Sequence, residues 1–303
     1  MHTHHSHSGQ YCGHAKDQLQ SVIDEARRQK FKLFALTEHI PRFEGSHLYP
    51  EEIAEGMSLQ HLKDKFEAYK SHAKQIQKLH ESRQDPLVIL VGCEIESLGP
   101  ASWQYAVKQK EELDFIVGSV HHVAEIPIDY DRELWNQATL HVSNNESEPV
   151  LSMFKAYFEL QYQMLEVTQP QVVGHFDLIK LMAPESYNSG PLSDFPEVWS
   201  LVCRNIDYAI EIGALFEINA AALRKGWSTP YPQRDVATRI IEKGGKFCLS
   251  DDSHGVAQVG LNYSKCIDYL EELGVEQVWY LTKEDGKVVS RSETVKDLRA
   301  ALL

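Results

Sequence analysis

Apolar positions recur along this chain in two alternating rhythms, which together predict a repeated pairing of helix and strand. Over residues 17–30, Leu19, Val22, Ile23 and Ala26 fall at helical spacing, with Asp17 placed as the N-cap and Arg27, Arg28 and Lys30 at the C-terminal end. Residues 31–36 form a short apolar run that stops at Thr37-Glu38-His39-Ile40-Pro41, a strand with polar groups at its C-terminal tip. The pattern repeats as a polar helix over 59–81 and a strand over 87–92 running into Cys93-Glu94-Ile95-Glu96. It repeats again as a helix over 101–112 and a strand over 115–120 ending in His121-His122. A loop over 124–146 leads to an aromatic-rich helix over 149–167, whose Tyr157, Phe158 and Tyr162 have the spacing of packing residues. Val172-Val173 then ends in Gly174-His175-Phe176-Asp177. After a loop over 184–191, a helix over 198–212 precedes a strand over 215–218 that ends at Asn219, with Arg224 just beyond. A helix over 234–243, stopped by Gly244-Gly245, precedes a strand over 247–249 running into Ser250-Asp251-Asp252-Ser253-His254-Gly255. A helix over 263–273 and a strand over 277–281 complete the chain.

Strands alternating with helices imply parallel βαβ units, and seven of them within 303 residues favour a closed α/β barrel over an open sheet. No linker, low-complexity segment or repeat interrupts the pattern, so residues 1–303 read as a single domain. The His, Asp and Glu residues gather where strands end, which is the catalytic face of a (β/α) barrel. The N-terminal segment belongs with them: in an extended strand His5 and His7 point the same way and can converge on one metal ion, and His2 and His4 offer a competing His-x-His register.

Composition narrows the function. With 43% hydrophobic residues and 24% charged, the chain is ordinary for a globular protein, and no apolar run reaches the length of a membrane span. The net charge of −14 argues against a nucleic-acid-binding surface, which needs clustered Lys and Arg. Cys12, Cys93, Cys203, Cys248 and Cys266 form no Cys-x-x-Cys pair, and no apolar signal segment precedes the histidines, so a reducing, cytoplasmic setting is expected.

The strand ends collect His5, His7, His14, His39, Glu94, His121, His175, Asp252 and His254. Nitrogen and oxygen donors without thiolate suit zinc, manganese or iron, and nine donors exceed what one ion can use. Two or three ions sharing a bridging carboxylate are therefore expected. Glu96 would face the same way as Glu94, and only one of His121 and His122 should face inward. Asp177 and Asp251 are expected to orient ligating imidazoles through their second ring nitrogen. His47, His61, His72, His80 and His141 lie away from strand ends and read as surface residues.

These residues resemble the polymerase-and-histidinol-phosphatase (PHP) superfamily of distorted seven-stranded, TIM-like barrels with trinuclear metal centres. The resemblance runs through His5-x-His7 with Cys12-Gly13-His14-Ala15, Thr37-Glu38-His39-Ile40-Pro41, Gly92-Cys93-Glu94, Gly118-Ser119-Val120-His121, Gly174-His175-Phe176-Asp177 and Ser250-Asp251-Asp252-Ser253-His254, in that order. Glu217-Ile218-Asn219, Ala222-Leu223-Arg224-Lys225 and Pro230-Tyr231-Pro232 look like the histidinol-phosphate phosphatase branch, most of all its fungal members. The gap from His7 to Cys12-Gly13-His14 is one residue longer than the bacterial pattern.

The resemblance implies that the nine residues above are metal ligands, with Asp252 and His254 also at the reacting centre. It implies hydrolysis of a small phosphate monoester, L-histidinol phosphate, by a metal-bridging hydroxide. Arg224 is the expected phosphate contact, with Arg42, Asn219 and Tyr231 as further substrate contacts and Glu38, Glu96 and Tyr231 facing its amine and imidazole. The alternatives are a PHP-type nuclease, which the acidic balance disfavours, another small-molecule phosphoesterase, and a catalytically silent metal-binding domain, which would have lost ligands.

Overall fold

The computed structural model describes residues 1–83, 85–143 and 147–302. Its strands are β1 (His2–Thr3), β2 (Leu33–Leu36), β3 (Val88–Ile95), β4 (Phe115–Gly118), β5 (His122–Val123), β6 (Ile126–Pro127), β7 (Val172–Val173), β8 (Leu215–Asn219), β9 (Lys246–Ser250), β10 (Gln277–Glu284) and β11 (Lys287–Thr294). Seven of them, in the order β1-β2-β3-β4-β7-β8-β9, form one sheet in which every pair is parallel. Its two edges meet through His4 N donating to Leu249 O (3.3 Å) and a parallel bridge between Ser6 and Ser253, which nearly closes the barrel.

Side chains alternate across a strand, so each barrel strand carries one inward row. Toward the N-terminal ends these rows are apolar: Leu33, Ala35, Leu90, Phe115, Val117, Val172, Leu215 and Cys248 form a small core inside the barrel. Further along the same rows the residues turn polar, with Glu94 following Leu90, His121 following Val117, and Glu217 following Leu215. Glycine serves this interior at Gly174, where a Cβ would come within 2.4 Å of Ser119 Oγ and 3.1 Å of Glu217 Oε2. The outward rows, including Phe34, Leu36, Ile89, Val91, Phe216 and Leu249, pack with the surrounding helices into the larger core. No helix among the described residues is long and apolar enough to cross a membrane.

Several elements differ from the sequence expectation. The first helix is Leu19–Arg28 and is not capped by Asp17, whose Oδ2 instead accepts from Val256 N (2.9 Å). The stretch read as a loop holds β6, which pairs back on β5 just before it, and a helix, Arg132–Ser143, begun by Leu134 N donating to Asp131 Oδ1 (2.8 Å) and buried through Trp135, Ala138 and Thr139. Its last positions, 144–146, lie outside the described residues. The strand expected at 277–281 runs on to Glu284, pairs antiparallel with β11 outside the barrel sheet, and is followed by a helix, Val295–Ala301. This hairpin covers the N-terminal end of the barrel: Leu281 joins the inner core, Lys32 pairs with Glu293 (2.7 Å), and Lys246 lies over the Trp279 ring. His47 and His80 are buried rather than surface residues, and His80 sits between Leu87 O (3.3 Å) and the Arg27 guanidinium (3.2 Å).

Candidate metal centre

Glu94 is the hub of the site. It lies on the inward row of β3, 1% exposed, with five imidazoles around its two oxygens. Oε1 is 2.9 Å from His121 Nε2 and 3.2 Å from His175 Nε2; Oε2 is 3.1 Å from His5 Nε2, 3.4 Å from His7 Nε2 and 2.9 Å from His39 Nδ1. Asp252, at the end of β9, brings Oδ1 to 3.9 Å from His5, 3.7 Å from His7 and 3.5 Å from His254 Nδ1. Burial alone would raise the Glu94 carboxyl, but His5, His121 and His39 hold it well below the usual carboxylate range. Burial likewise works against a charged His121, yet Glu94 and Asp129 outweigh it and push that imidazole up to about 9.

The N-terminal segment divides its histidines between two layers. The His5 and His7 rings face the hub with centroids 5.0 Å apart, whereas His2 and His4 turn toward the barrel floor. His2 Nδ1 meets Glu293 Oε1 (2.9 Å) and its Nε2 accepts from Leu249 N (3.1 Å); His4 Nδ1 meets Leu249 O (3.3 Å) and its Nε2 accepts from Leu281 N (2.9 Å). The excess histidines thus tie the hairpin to the barrel. His14 sits at the rim, its side chain 40% exposed, with its ring stacked on His254 (5.0 Å) and its Nε2 3.2 Å from Cys12 Sγ. Burial would raise the Cys12 thiol, but His14 and His39 beside it bring it down to about 6.

The carboxylates that orient imidazoles are not the expected ones. Glu217 Oε1 lies 2.9 Å from His5 Nδ1, Asp129 Oδ2 lies 3.1 Å from His121 Nδ1, Glu51 Oε1 lies 3.3 Å from His14 Nδ1, and Glu38 Oε2 lies 3.6 Å from His7 Nδ1. Such outer partners fix ring orientation and tautomer around metals. Asp177 contacts no imidazole and accepts from Gln233 N (2.8 Å), while Asp251 accepts from Thr3 Oγ1 (3.0 Å), Ser253 N (3.2 Å) and Gly260 N (2.7 Å). Both are spent on joining backbone segments, and burial pushes both up to about 6. Glu217 was legible from strand parity, two residues before Asn219; Asp129 and Glu51 lie in segments with no strand-end signal.

Above the hub opens a cavity of about 310 Å³, lined by His14, His39, Glu51, Glu94, His121, Asp129, Tyr130, His175, Arg224, Lys225, Asp252 and His254. Arg224 reaches it with Nη1 and Nη2 donating to the carbonyls of Asp251 (3.3 Å) and Asp252 (3.1 Å). The other expected substrate contacts are elsewhere. Arg42 is buried in ion pairs with Glu96 and with Glu52 (3.3 Å), and Glu96 Oε1 also lies 2.9 Å from His39 Nδ1, so Glu96 is held between Arg42 and a hub imidazole. Asn219 Nδ2 donates to Glu217 Oε1 (2.7 Å) and Asp252 Oδ2 (3.3 Å), bracing carboxylates. Tyr231 is fully buried beside His175, with ring centroids 6.1 Å apart. Glu38 accepts from Ser8 N (2.8 Å) and Ser8 Oγ (2.7 Å). His122 faces Tyr49 rather than the hub.

The donor set fits divalent cations. His5 Nε2, both nitrogens of His7 and of His39, and Glu94 Oε2 are buried with no hydrogen-bond partner, a concentration of orphaned polar atoms that a protein interior does not otherwise tolerate. Donors bound at about 2.0–2.1 Å to one tetrahedral ion stand roughly 3.3–3.4 Å from each other, within the range of the Glu94 and Asp252 contacts above. Two groups of donor atoms, His5-His7-Asp252 and His39-Glu94-His121, each lie within 4.8 Å of one another, and a third joins His7, His39 and His254 to Cys12.

The family model for the PHP domain matches residues 3–221. The chain is 43% identical over 300 residues to a Schizosaccharomyces pombe protein named "Probable histidinol-phosphatase", covering 97% of this chain and 94% of that one. It is 38% identical over 327 residues to a Saccharomyces cerevisiae histidinol-phosphatase, covering 98% and 96%. Its fold is similar to that of a crystal structure from Listeria monocytogenes (TM-score 0.72, 22% identity, 87% of this chain and 99% of that one). It is also similar to a histidinol phosphate phosphatase from Lactococcus lactis complexed with zinc, L-histidinol and phosphate (TM-score 0.60, 17% identity, 95% and 98%).

Proposed function

The chain belongs to the PHP domain family, and on that footing we propose that it is a metal-dependent phosphomonoesterase that hydrolyses L-histidinol phosphate to L-histidinol and inorganic phosphate, a step of histidine biosynthesis. The observation that carries the reading is Glu94, one buried carboxylate facing five imidazoles, in a chain that shares its full length with fungal histidinol-phosphatases. The nine residues His5, His7, His14, His39, Glu94, His121, His175, Asp252 and His254 are the proposed ligands, with Glu94 shared between ions. When bound, two or three divalent cations, zinc, manganese or iron by donor chemistry, supply positive charge to the phosphoryl oxygens and acidify the attacking water.

The chain's own side chains do the rest. Glu217 and Asp129 each accept the outer N–H of a proposed ligand, His5 and His121, and hold its other nitrogen toward the hub, while Glu51 and Glu38 place their charge 3.3 Å from His14 and 3.6 Å from His7. Arg224 uses part of its fork on two carbonyls, and the remaining N–H groups of its five donors are free for phosphoryl oxygens as charge builds on them. Lys225 adds a second cation to the same wall. Glu51 and Tyr130, which line the same cavity, suit the amine and imidazole of the substrate.

The cytoplasmic setting is part of the proposal, supported by cysteines that are all unpaired. So is the single domain, supported by one core that joins Met1 to Leu298. The test compares kcat/KM of the metal-loaded enzyme for L-histidinol phosphate, simple phosphomonoesters and single-stranded DNA. A clear preference for histidinol phosphate is expected; a preference for DNA would favour the nuclease reading and overturn this one.

A further inference from the structure

The sequence pattern gives this centre nitrogen and oxygen donors only, and Cys12 departs from it. Its side chain is 5% exposed, and its Sγ forms, with one ring nitrogen each from His7, His39 and His254, a group of four atoms all within 4.8 Å of one another. The loop geometry accounts for its position. Cys12 N donates to Ser8 O (2.9 Å) and Ala15 N to Cys12 O (3.3 Å), a compact turn that folds the thiol back over the histidines. A second observation points the same way: both nitrogens of His7 and of His39 are buried without a hydrogen-bond partner. A thiol that only met His14 Nε2 (3.2 Å) would leave those nitrogens uncompensated, whereas one cation among the four atoms takes up one nitrogen each of His7 and His39 and leaves the second of each to the neighbouring donor groups.

We propose that Cys12 is itself a ligand of the centre, holding one ion as a thiolate together with His39, His254 and His7. The inference rests on the metal-centre reading above. On binding, the thiol gives its proton to solvent and a sulfur–metal bond forms. The consequence is asymmetry between the ions. The other two groups, His5-His7-Asp252 and His39-Glu94-His121, offer no sulfur, so they accept several first-row ions, while soft sulfur selects zinc over manganese at the third.

X-ray absorption at the zinc edge tests this on the whole zinc-loaded protein. A sulfur shell at about 2.3 Å is expected beside a nitrogen and oxygen shell at about 2.0–2.1 Å, and Cys12→Ser should remove the sulfur shell while zinc stays bound at the other positions. A wild-type spectrum with nitrogen and oxygen alone overturns the assignment of Cys12 and leaves the multinuclear centre standing. Persistence of the sulfur shell in Cys12→Ser also overturns it. A protein that binds no zinc, manganese or iron overturns both. The wild-type spectrum decides the question even if the variant does not fold. In competition with excess manganese, the wild type should retain a zinc fraction that Cys12→Ser loses; equal retention by the two proteins contradicts the proposal.

Discussion

Glu217 acts on the centre from one atom away. It faces no cavity, yet its two oxygens take His5 Nδ1 (2.9 Å) and His175 N (3.1 Å), so it sets the aim of one proposed ligand and the path of the strand end carrying another. Glu217→Gln keeps the volume but can present an amide N–H to His5, and about a 10- to 100-fold loss in metal affinity or turnover is expected. Metal titration with the folded variant checks it, and unchanged affinity and turnover would remove Glu217 from the site. Arg224→Ala should cost roughly 2–4 kcal/mol of transition-state stabilisation, read as a fall in kcat/KM, with metal content unchanged. At this scale the sequence was most readable where strand parity governs. Glu94, on the same inward row as Leu90, needed only the alternation rule, whereas choosing it over Glu96 needed the Arg42 ion pair, which no local pattern announces. Asp177 and Asp251 misled because a carboxylate beside a histidine in sequence need not touch it in space.

The element that most changes the picture is the β10–β11 hairpin. A strand was legible at 277–281, but its partner β11 lacks apolar alternation, being mostly exposed, and its place under the barrel depends on contacts far away in sequence. Leu281 plugs the inner core from below, so Leu281→Ala should lower unfolding free energy by about 2–4 kcal/mol. Thermal or denaturant unfolding measures this, and kcat/KM well below the transition should be retained because the plug lies at the opposite end from the cavity. His2 fastens the same element. Burial lowers its pKa from 6.5 to about 4 despite the opposing pull of Glu293, so the folded protein holds the neutral ring. A depressed histidine stabilises fully above the unfolded value, and that contribution, on the order of 3 kcal/mol, disappears as pH falls from about 6.5 toward 4. The stability advantage of the wild type over His2→Gln should therefore be greatest above pH 6.5 and shrink in acid. An advantage independent of pH would contradict the neutral latch.

As a whole, the molecule separates stability from chemistry along the barrel axis. The inner rows are apolar toward the N-terminal ends of the strands and ionisable toward the C-terminal ends, so closing the barrel on a packed floor forces the proposed ligands together. Helix and strand alternation made that architecture legible, since seven parallel units have few other ways to bury both faces. The orienting carboxylates from the segments between barrel strands, Asp129 in a loop and Glu51 on the short helix Pro50–Ala54, were not, because their positions follow from barrel closure rather than from any period in the sequence. The most direct test is a titration of chelator-stripped protein with zinc, following bound metal and hydrolysis of L-histidinol phosphate in the same samples. Turnover is expected to rise only once more than one ion per chain is bound, and to be lost in Glu94→Gln. Full activity with one ion per chain, or with none, would contradict a carboxylate-bridged multinuclear centre.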